Sequence, residues 1–427
     1  MDPEGGLVSQ GEPNPGRPRT EWLDRLARRG FHALLSRLRE DRIDLVEEAR
    51  VDSFGAGESE DSLRATLTVQ DPALYRAIAL RGAVGVAEAY IDGDWTADDL
   101  TTLVRIVARN QDLFYGMNGR ASRLVRIGLR GLHALRRNSR SGSRRNIAAH
   151  YDLGNDFFEL FLDPSWTYSC AIFENAEASL EEASIAKYDR ACKKLELGAE
   201  DHVLEIGGGW GGFALHAAGR YGCRVTTITL SREQHVLASE RVARAGLADR
   251  VDVRLEDYRE TRGTYDKLVS IEMIEAVGHR YFDQFFRTCS ERLRPSGLML
   301  LQAILTPDQG YAQSVRNVDF IKRYIFPGGQ LASLGAITGS VRRETDLRLI
   351  HLEDLTAHYV RTLAGWRERM LKNLDRIRDL GLPESFLRMW EFYLCYCEGG
   401  FAERANTVAQ VLFEKPRGRR EPVLGSL

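Results

Sequence analysis

The chain has 427 residues, 43% of them apolar, and a formal net charge of −2. That is long enough for two compact domains and points to a soluble globular protein. Six cysteines, at 170, 192, 223, 289, 395 and 397, lie scattered. They lack the dense spacing of a secreted disulfide scaffold and the paired C-x-x-C knuckles of a zinc site, so free thiols in a reducing cytoplasm are expected and no metal is.

The first residues, "MDPEGGLVSQGEPNPGRPR", are acidic, rich in Pro and Gly and without an apolar h-region. They read as a disordered tail over 1–19 rather than a signal peptide or a membrane span. Residues 20–112 mix helical periodicity (Trp22, Leu26, Phe31, Leu34, Leu38) with short strands such as "RATLTVQD", where Ala65, Leu67 and Val69 alternate with polar residues. A small α+β domain is expected there. From Leu113 to Tyr151 there is no Asp or Glu but there are nine arginines, several interleaved with Leu124, Ile127, Leu129, Leu132 and Leu135. This basic amphipathic linker, 113–145, suits an anionic lipid surface; a solvated linker helix and an RNA-binding strap are the competing readings.

From about Leu195 strands alternate with amphipathic helices: "HVLEIG", "RVTTITL", "VDVRLE", "KLVSIEM" and "GLMLLQAIL", with helical stretches between them. Such β-α units predict a mostly parallel sheet covered on both faces, with ligands at the C-terminal ends of its strands. "EIGGGWGGF" follows the first strand and leads into a helix, where glycine lets the backbone turn and a ligand come close. Gly207, Gly209 and Gly212 satisfy the G-x-G-x-x-G spacing of dinucleotide sites. Glu205, two residues earlier, suits a cationic ligand such as S-adenosylmethionine. The glycines by themselves leave a nicotinamide oxidoreductase and a methyltransferase both open.

Seven stretches in order, "HYDLGNDFFELFLDPSWTYSCAIF", "VLEIGGGWGGFALHAA", "TLSREQ", "SIEMIEAVGHRYFDQFF", "LQAI", "YIFPGG" and "YCEGGFAER", resemble the cyclopropane-fatty-acyl-phospholipid synthase family, which includes the mycolic acid cyclopropane synthases. The resemblance covers roughly residues 146–416 and implies a Rossmann-like α/β class I methyltransferase fold over 146–427, with a helical cap shaping an acyl site. It implies S-adenosylmethionine as cofactor. Gly207, Gly209 and Gly212 would form the methionine and ribose turn, Thr229, Leu230 and Gln234 the ribose contacts, and Asp257 and Tyr258 the adenine side, while Tyr168 and Ser169 close over the front. It further implies methyl transfer to the cis double bond of phospholipid acyl chains, with bound bicarbonate as final base on Cys170, Glu275, Gln302, Ile304 and Tyr324. Gln302 stands where several members carry His, and an amide can donate to an anion but cannot relay a proton. Cys397 would line the acyl tunnel.

An isolated alkene is a weak nucleophile, so the site must align it with the sulfonium methyl and exclude water while positive charge develops on carbon. The thiol of Cys170 therefore needs no activation. A carboxylate beside an anion is expected to have a raised pKa, and Glu275 is the residue so placed. Loss of a proton from the new methyl closes a cyclopropane ring; a hydride shift beforehand leaves a 10-methylene branch. The expected partners are an unsaturated phospholipid and an anionic membrane surface, with no nucleic acid. A homodimer is compatible with the sequence, and a partner reductase is needed only for a methylene product. The expected place is the cytoplasm, peripheral to the inner face of the membrane.

Overall fold

The computed structural model describes residues 21–115 and 154–419. The tail expected over 1–19 and most of the basic stretch 113–145 lie outside the described residues. The described residues divide into two compact units: one of 21–115, 317–325 and 363–405, the other of 154–316, 326–362 and 406–419.

In the first unit the helix Glu21–Leu35 precedes three strands, β1 (Arg42–Glu47), β2 (Arg50–Phe54) and β3 (Arg64–Val69), and a short β4 (Trp95–Ala97). They form a sheet in the order β2-β1-β3-β4. The alternation seen in "RATLTV" buries Ala65 and Leu67 on one face. The helix Glu384–Ala402, distant in sequence, packs into this unit: Tyr90 donates to Glu391 at 2.8 Å, and Arg388 donates to the carbonyl oxygens of Tyr90 and Trp95. The helices expected as a cap within 146–427 are thus grouped with N-terminal residues, because packing unites what the sequence separates. The apolar series from Val360 to Ile377 forms two helices, Thr356–Lys372 and Leu374–Asp379, with Leu363, Trp366, Met370 and Ile377 buried.

The second unit carries a seven-stranded sheet built from β5 (His202–Ile206), β6 (Arg224–Thr229), β7 (Val251–Leu255), β8 (Tyr265–Ile271), β9 (Leu293–Leu305), β10 (Arg348–Asp354) and β11 (Thr407–Glu414). The order is β10-β11-β9-β8-β5-β6-β7. The five strands from β9 to β7 run parallel, and β11 and β10 add to that edge antiparallel. The mostly parallel α/β sheet expected from the sequence is present.

The pleat divides the core in two. Met299, Leu301, Ala303 and Leu305 of β9 enter one apolar cluster with Phe285 and Phe286, whereas Leu298 and Leu300 enter another with Phe213, Ala217 and Cys192. The helix Leu180–Lys194 belongs to the second face and starts on a capping box, Ser179 accepting from the Glu182 backbone while the Glu182 side chain accepts from the Ser179 backbone. Gln302 of β9 and Gln410 of β11 share that face and are register partners across the sheet.

Both glutamines are fully buried, so their amides must find partners or cost stability. They find each other. Gln410 Nε2 donates to Gln302 Oε1 at 3.0 Å, and Lys194 Nζ donates to Gln410 Oε1 at 2.8 Å and to Glu353 Oε2 at 2.5 Å. An ammonium can only donate, so Lys194 fixes which way each amide points and turns the Gln302 NH2 group toward the end of β8. Replacing Gln410 by Leu should lower unfolding stability by about 1–3 kcal/mol through the orphaned Gln302 and Lys194 groups; an unchanged urea midpoint would show that this amide row adds nothing.

Candidate active site

β5 ends in the glycine turn and the helix Gly212–Tyr221 follows. Gly207 has φ +89, and a Cβ there would meet Met273 Cγ at 2.6 Å. At Gly208 a Cβ would stand 1.8 Å from Thr227 Oγ1, so this backbone lies against β6 only because no side chain intervenes. Gly209 and Gly212 complete the turn, and no protein atom lies within 4 Å of where a Gly209 Cβ would stand. Beneath the turn is Glu205, buried, with Oε2 lacking a geometric hydrogen-bond partner among the described residues. Burial raises its pKa to about 7, opposed first by the neighbouring Thr227 hydroxyl and then by the charge of Lys187.

At the end of β6, Thr229 donates to Gln234 Oε1 at 2.7 Å, Leu230 is half-buried, and Ser231 caps the helix Arg232–Arg244. Asp257, after β7, is held by Arg259 at 2.8 and 2.5 Å, while the buried Tyr258 hydroxyl has no partner among the described residues. Tyr168 packs edge-on against Phe158 and Phe161, and Ser169 accepts a hydrogen bond at 2.8 Å from the fully buried Lys187 ammonium. Burial brings Lys187 down to about 8, opposed first by Glu272.

The densest chemistry lies where β8 ends. Glu272, at φ +48, is a non-glycine residue in left-handed backbone, a conformation that costs roughly 1–3 kcal/mol and is concentrated at functional sites. Its Oε1 accepts from the Cys170 backbone N–H at 2.8 Å and from Gln302 Nε2 at 2.8 Å, and its Oε2 from the Tyr359 hydroxyl at 2.8 Å. Gln302 also donates to the Cys170 carbonyl at 3.1 Å. Glu275, in a single 3-10 turn, accepts from the Ile304 N–H at 2.6 Å through Oε1, while its buried Oε2 has no partner among the described residues. Desolvation first, and then the charge of Glu272, push Glu275 up to about 8, in the direction expected from the sequence.

Cys170 is fully buried, and its thiol donates to the carbonyl oxygens of Ala171 at 3.3 Å and Leu355 at 3.7 Å. Burial, followed by the charge of Glu272, raises its pKa well above that of an ordinary thiol, so it is a neutral donor and no nucleophile.

Four of the residues implied for bicarbonate, Cys170, Glu275, Gln302 and Ile304, are brought together around the ends of β8 and β9. Tyr324 and Cys397 belong to the first unit. There the Tyr324 hydroxyl donates to Glu88 at 2.5 Å, and Cys397 is half-buried on the helix Glu384–Ala402. Glu272, Lys187, Tyr359 and Gln410 were not identified from the sequence. The available signal was a lone polar residue inside an apolar strand, "LLQAIL" and "VAQVLF", and a second carboxylate three residues before Glu275.

The two implied small molecules fare differently. The turn at Gly207–Gly209, the orphaned Glu205 oxygen and the orphaned Tyr258 hydroxyl fit a cationic nucleoside such as S-adenosylmethionine. Bicarbonate does not fit: the Cys170 N–H and the Gln302 amide donate to Glu272, the Ile304 N–H to Glu275 and the Tyr324 hydroxyl to Glu88.

The fold and this turn define a class I S-adenosylmethionine-dependent methyltransferase. Residues 138–411 match the family model described as mycolic acid cyclopropane synthetase, and the chain belongs to that family. It is 40% identical to tuberculostearic acid methyltransferase UfaA1 of Mycobacterium tuberculosis over 77% of this chain and 78% of that protein. It is 36% identical to the cyclopropane-fatty-acyl-phospholipid synthase of Escherichia coli over 83% of this chain and 89% of that one. Among solved structures, the mycolic acid cyclopropane synthase CmaA1 complexed with SAH and CTAB superposes with a TM-score of 0.60 at 32% identity, covering 64% of this chain and 98% of its own. The nicotinamide alternative left open by the glycines is set aside by this membership.

The raised Glu275 pKa has a sign that can be checked. The folded protein holds this proton to about pH 8 whereas an ordinary carboxyl releases it near 4.5, so its stabilising contribution is complete below 4.5 and is lost as pH rises toward 8. Glu275→Gln should therefore flatten the decline in melting temperature over that window, and an identical decline in both proteins would assign it to another group.

Proposed function

We propose that the enzyme transfers the methyl of S-adenosylmethionine to a cis double bond in the acyl chain of a membrane phospholipid, and that a cyclopropane ring results. The observation that carries this reading is the buried Glu272 carboxylate, held by the Cys170 N–H, the Gln302 amide and the Tyr359 hydroxyl, beside a fully buried Cys170 thiol: the site has a proton acceptor but no activated nucleophile, as a reaction in which the alkene attacks requires. S-adenosylmethionine, when bound, supplies the electrophilic methyl group. Gly207 and Gly209 shape the turn that would take it, Glu205 complements its positive charge, and Thr229, Leu230 and Gln234 stand at the end of β6 for the ribose. Tyr168 and Ser169 would cover the front, and Asp257 and Tyr258 the adenine side. The burial of Cys170 and Gln302 around Glu272 keeps water from the carboxylate that would face a carbocation. Bicarbonate is left out of the reading, because the donors it would need already serve carboxylates of the chain.

A second product has its own support. The relative at 40% identity is named for tuberculostearic acid, a name that favours a 10-methylene or methyl-branched chain, the former needing a partner reductase to become saturated. Incubation with labelled S-adenosylmethionine and a cis-unsaturated phospholipid should place the label in the acyl chain. Proton NMR of the product then separates ring methylene signals from those of an exocyclic alkene, and label found only in the headgroup would refute the reading.

The substrate lies in a bilayer, so the enzyme must work at its surface. None of the described helices is long and apolar enough to cross a membrane. The nine arginines between 113 and 151 and the exposed Trp22, Arg25, Leu26 and Arg29 of the helix Glu21–Leu35 support docking on anionic lipid at the inner face of the membrane. Sedimentation with anionic vesicles should be strong in low salt and fall as salt screens the arginines. Equal binding to neutral vesicles in high salt would count against it.

A further inference from the structure

The final proton of the proposed reaction needs an acceptor, and the donors expected to hold bicarbonate are already occupied. What occupies the centre of that cradle is itself a carboxylate. Glu272 receives the Cys170 N–H, the Gln302 amide and the Tyr359 hydroxyl, three neutral donors arranged as they would be around a small carboxylate-like anion. We propose that Glu272 is the built-in base of this enzyme, taking the place of a bound bicarbonate; this rests on the methyl-transfer reading above.

The groups facing Glu272 bear this out by chemistry. Burial raises the Glu272 pKa above the ordinary carboxylate value, which suits a proton acceptor, while the three hydrogen bonds and, after them, the charge of Lys187 oppose that rise and stabilise its anion. Glu275 is held only weakly by comparison, by the backbone N–H groups of Ile304 and of Glu275 itself, and burial together with the Glu272 charge leaves the proton on Glu275. Of two neighbouring carboxyls, Glu272 is therefore the one held as an anion, because two charges so close in a buried site oppose each other. A carboxylate offers about four lone-pair positions, and three on Glu272 are used. One on Oε2, which meets only Tyr359, is left for a proton.

The Gln302 substitution then has a reason. A histidine at this position could donate or accept and carry charge. An amide whose polarity is set by Lys194 through Gln410 can only present its NH2 to Glu272, which holds the carboxylate in place. The left-handed backbone at Glu272 is the conformational cost of bringing that carboxylate to the site.

The proposed step balances. After the alkene π electrons have bonded to the methyl carbon and the sulfonium has left as a neutral thioether, a C–H bond of the transferred methyl breaks. Its electron pair forms the second ring bond, which neutralises the carbocation. The proton goes to Glu272 Oε2 and is released to water before the next turnover.

The test uses the full-length enzyme, Glu272→Gln and Glu272→Gly, each first checked for an unchanged circular dichroism spectrum; glycine accepts the positive φ at this position without strain. Wild-type turnover should be the same in bicarbonate-depleted and bicarbonate-supplemented buffer. Glu272→Gln should bind S-adenosylmethionine normally in calorimetry and lose turnover by about 100-fold or more. Glu272→Gly should lose it too and regain part with added bicarbonate or formate. A readout independent of turnover is the NMR line width of 13C-bicarbonate with S-adenosylhomocysteine present: no binding to wild type, binding to Glu272→Gly. Binding of bicarbonate by wild type, or full turnover by Glu272→Gln, would overturn the proposal. Wild type that transfers no label to any unsaturated lipid would refute the methyl-transfer reading instead, and the bicarbonate binding contrast would still decide whether Glu272 fills the anion cradle.

Discussion

A buried carboxylate must be paid for in hydrogen bonds, and the second unit is organised around doing so at Glu272. Three donors reach it from three parts of the chain: the loop at Cys170, strand β9 at Gln302 and the helix Thr356–Lys372 at Tyr359. Each is placed by an element that packs for apolar reasons. β9 lies between two hydrophobic clusters, and the loop carrying Cys170 is fixed in part by the Ala171 N–H donating to Thr362 at 3.1 Å. Removing the carboxylate would leave three donors facing one another, so the loop, the strand and the helix are coupled through one side chain.

The same interaction explains why the amides extend so far from the glycine turn. Gln302 can serve Glu272 only if its oxygen is satisfied behind it, which Gln410 does, and Gln410 in turn needs the Lys194 ammonium. Glu353 closes the row on Lys194 and is also held by Arg190. A line of polar groups thus runs through the core with a cation at one end and an anion at the other. Charged ends remove the ambiguity that a neutral amide row would have, since each amide has one orientation that satisfies both neighbours.

Cys170 shows how the environment overrides residue type. A cysteine between hydroxyls and aromatics invites a nucleophilic role, but full burial and the neighbouring Glu272 charge keep its thiol protonated. What it contributes is backbone: its N–H and its carbonyl bracket Glu272 and Gln302. Tyr324 makes the complementary point. Its motif placed it with the base, whereas its hydroxyl is engaged by Glu88, which also pairs with Arg81 and Arg323.

Local sequence determined the parallel sheet, the glycine turn after β5 and the family, because periodicity, turn residues and motifs act over a few neighbouring positions. The family resemblance carried by those motifs implied Cys170, Glu275, Gln302, Ile304 and Tyr324 as a set. Local sequence did not determine that Gln302 faces Gln410, that Lys194 orients both, or that Glu272 sits among the donors. Those contacts join residues 30 to 216 positions apart, and a buried polar group is recognised only by the partners that satisfy it. Only the tertiary structure, through strand register and helix packing, decided which partners those are.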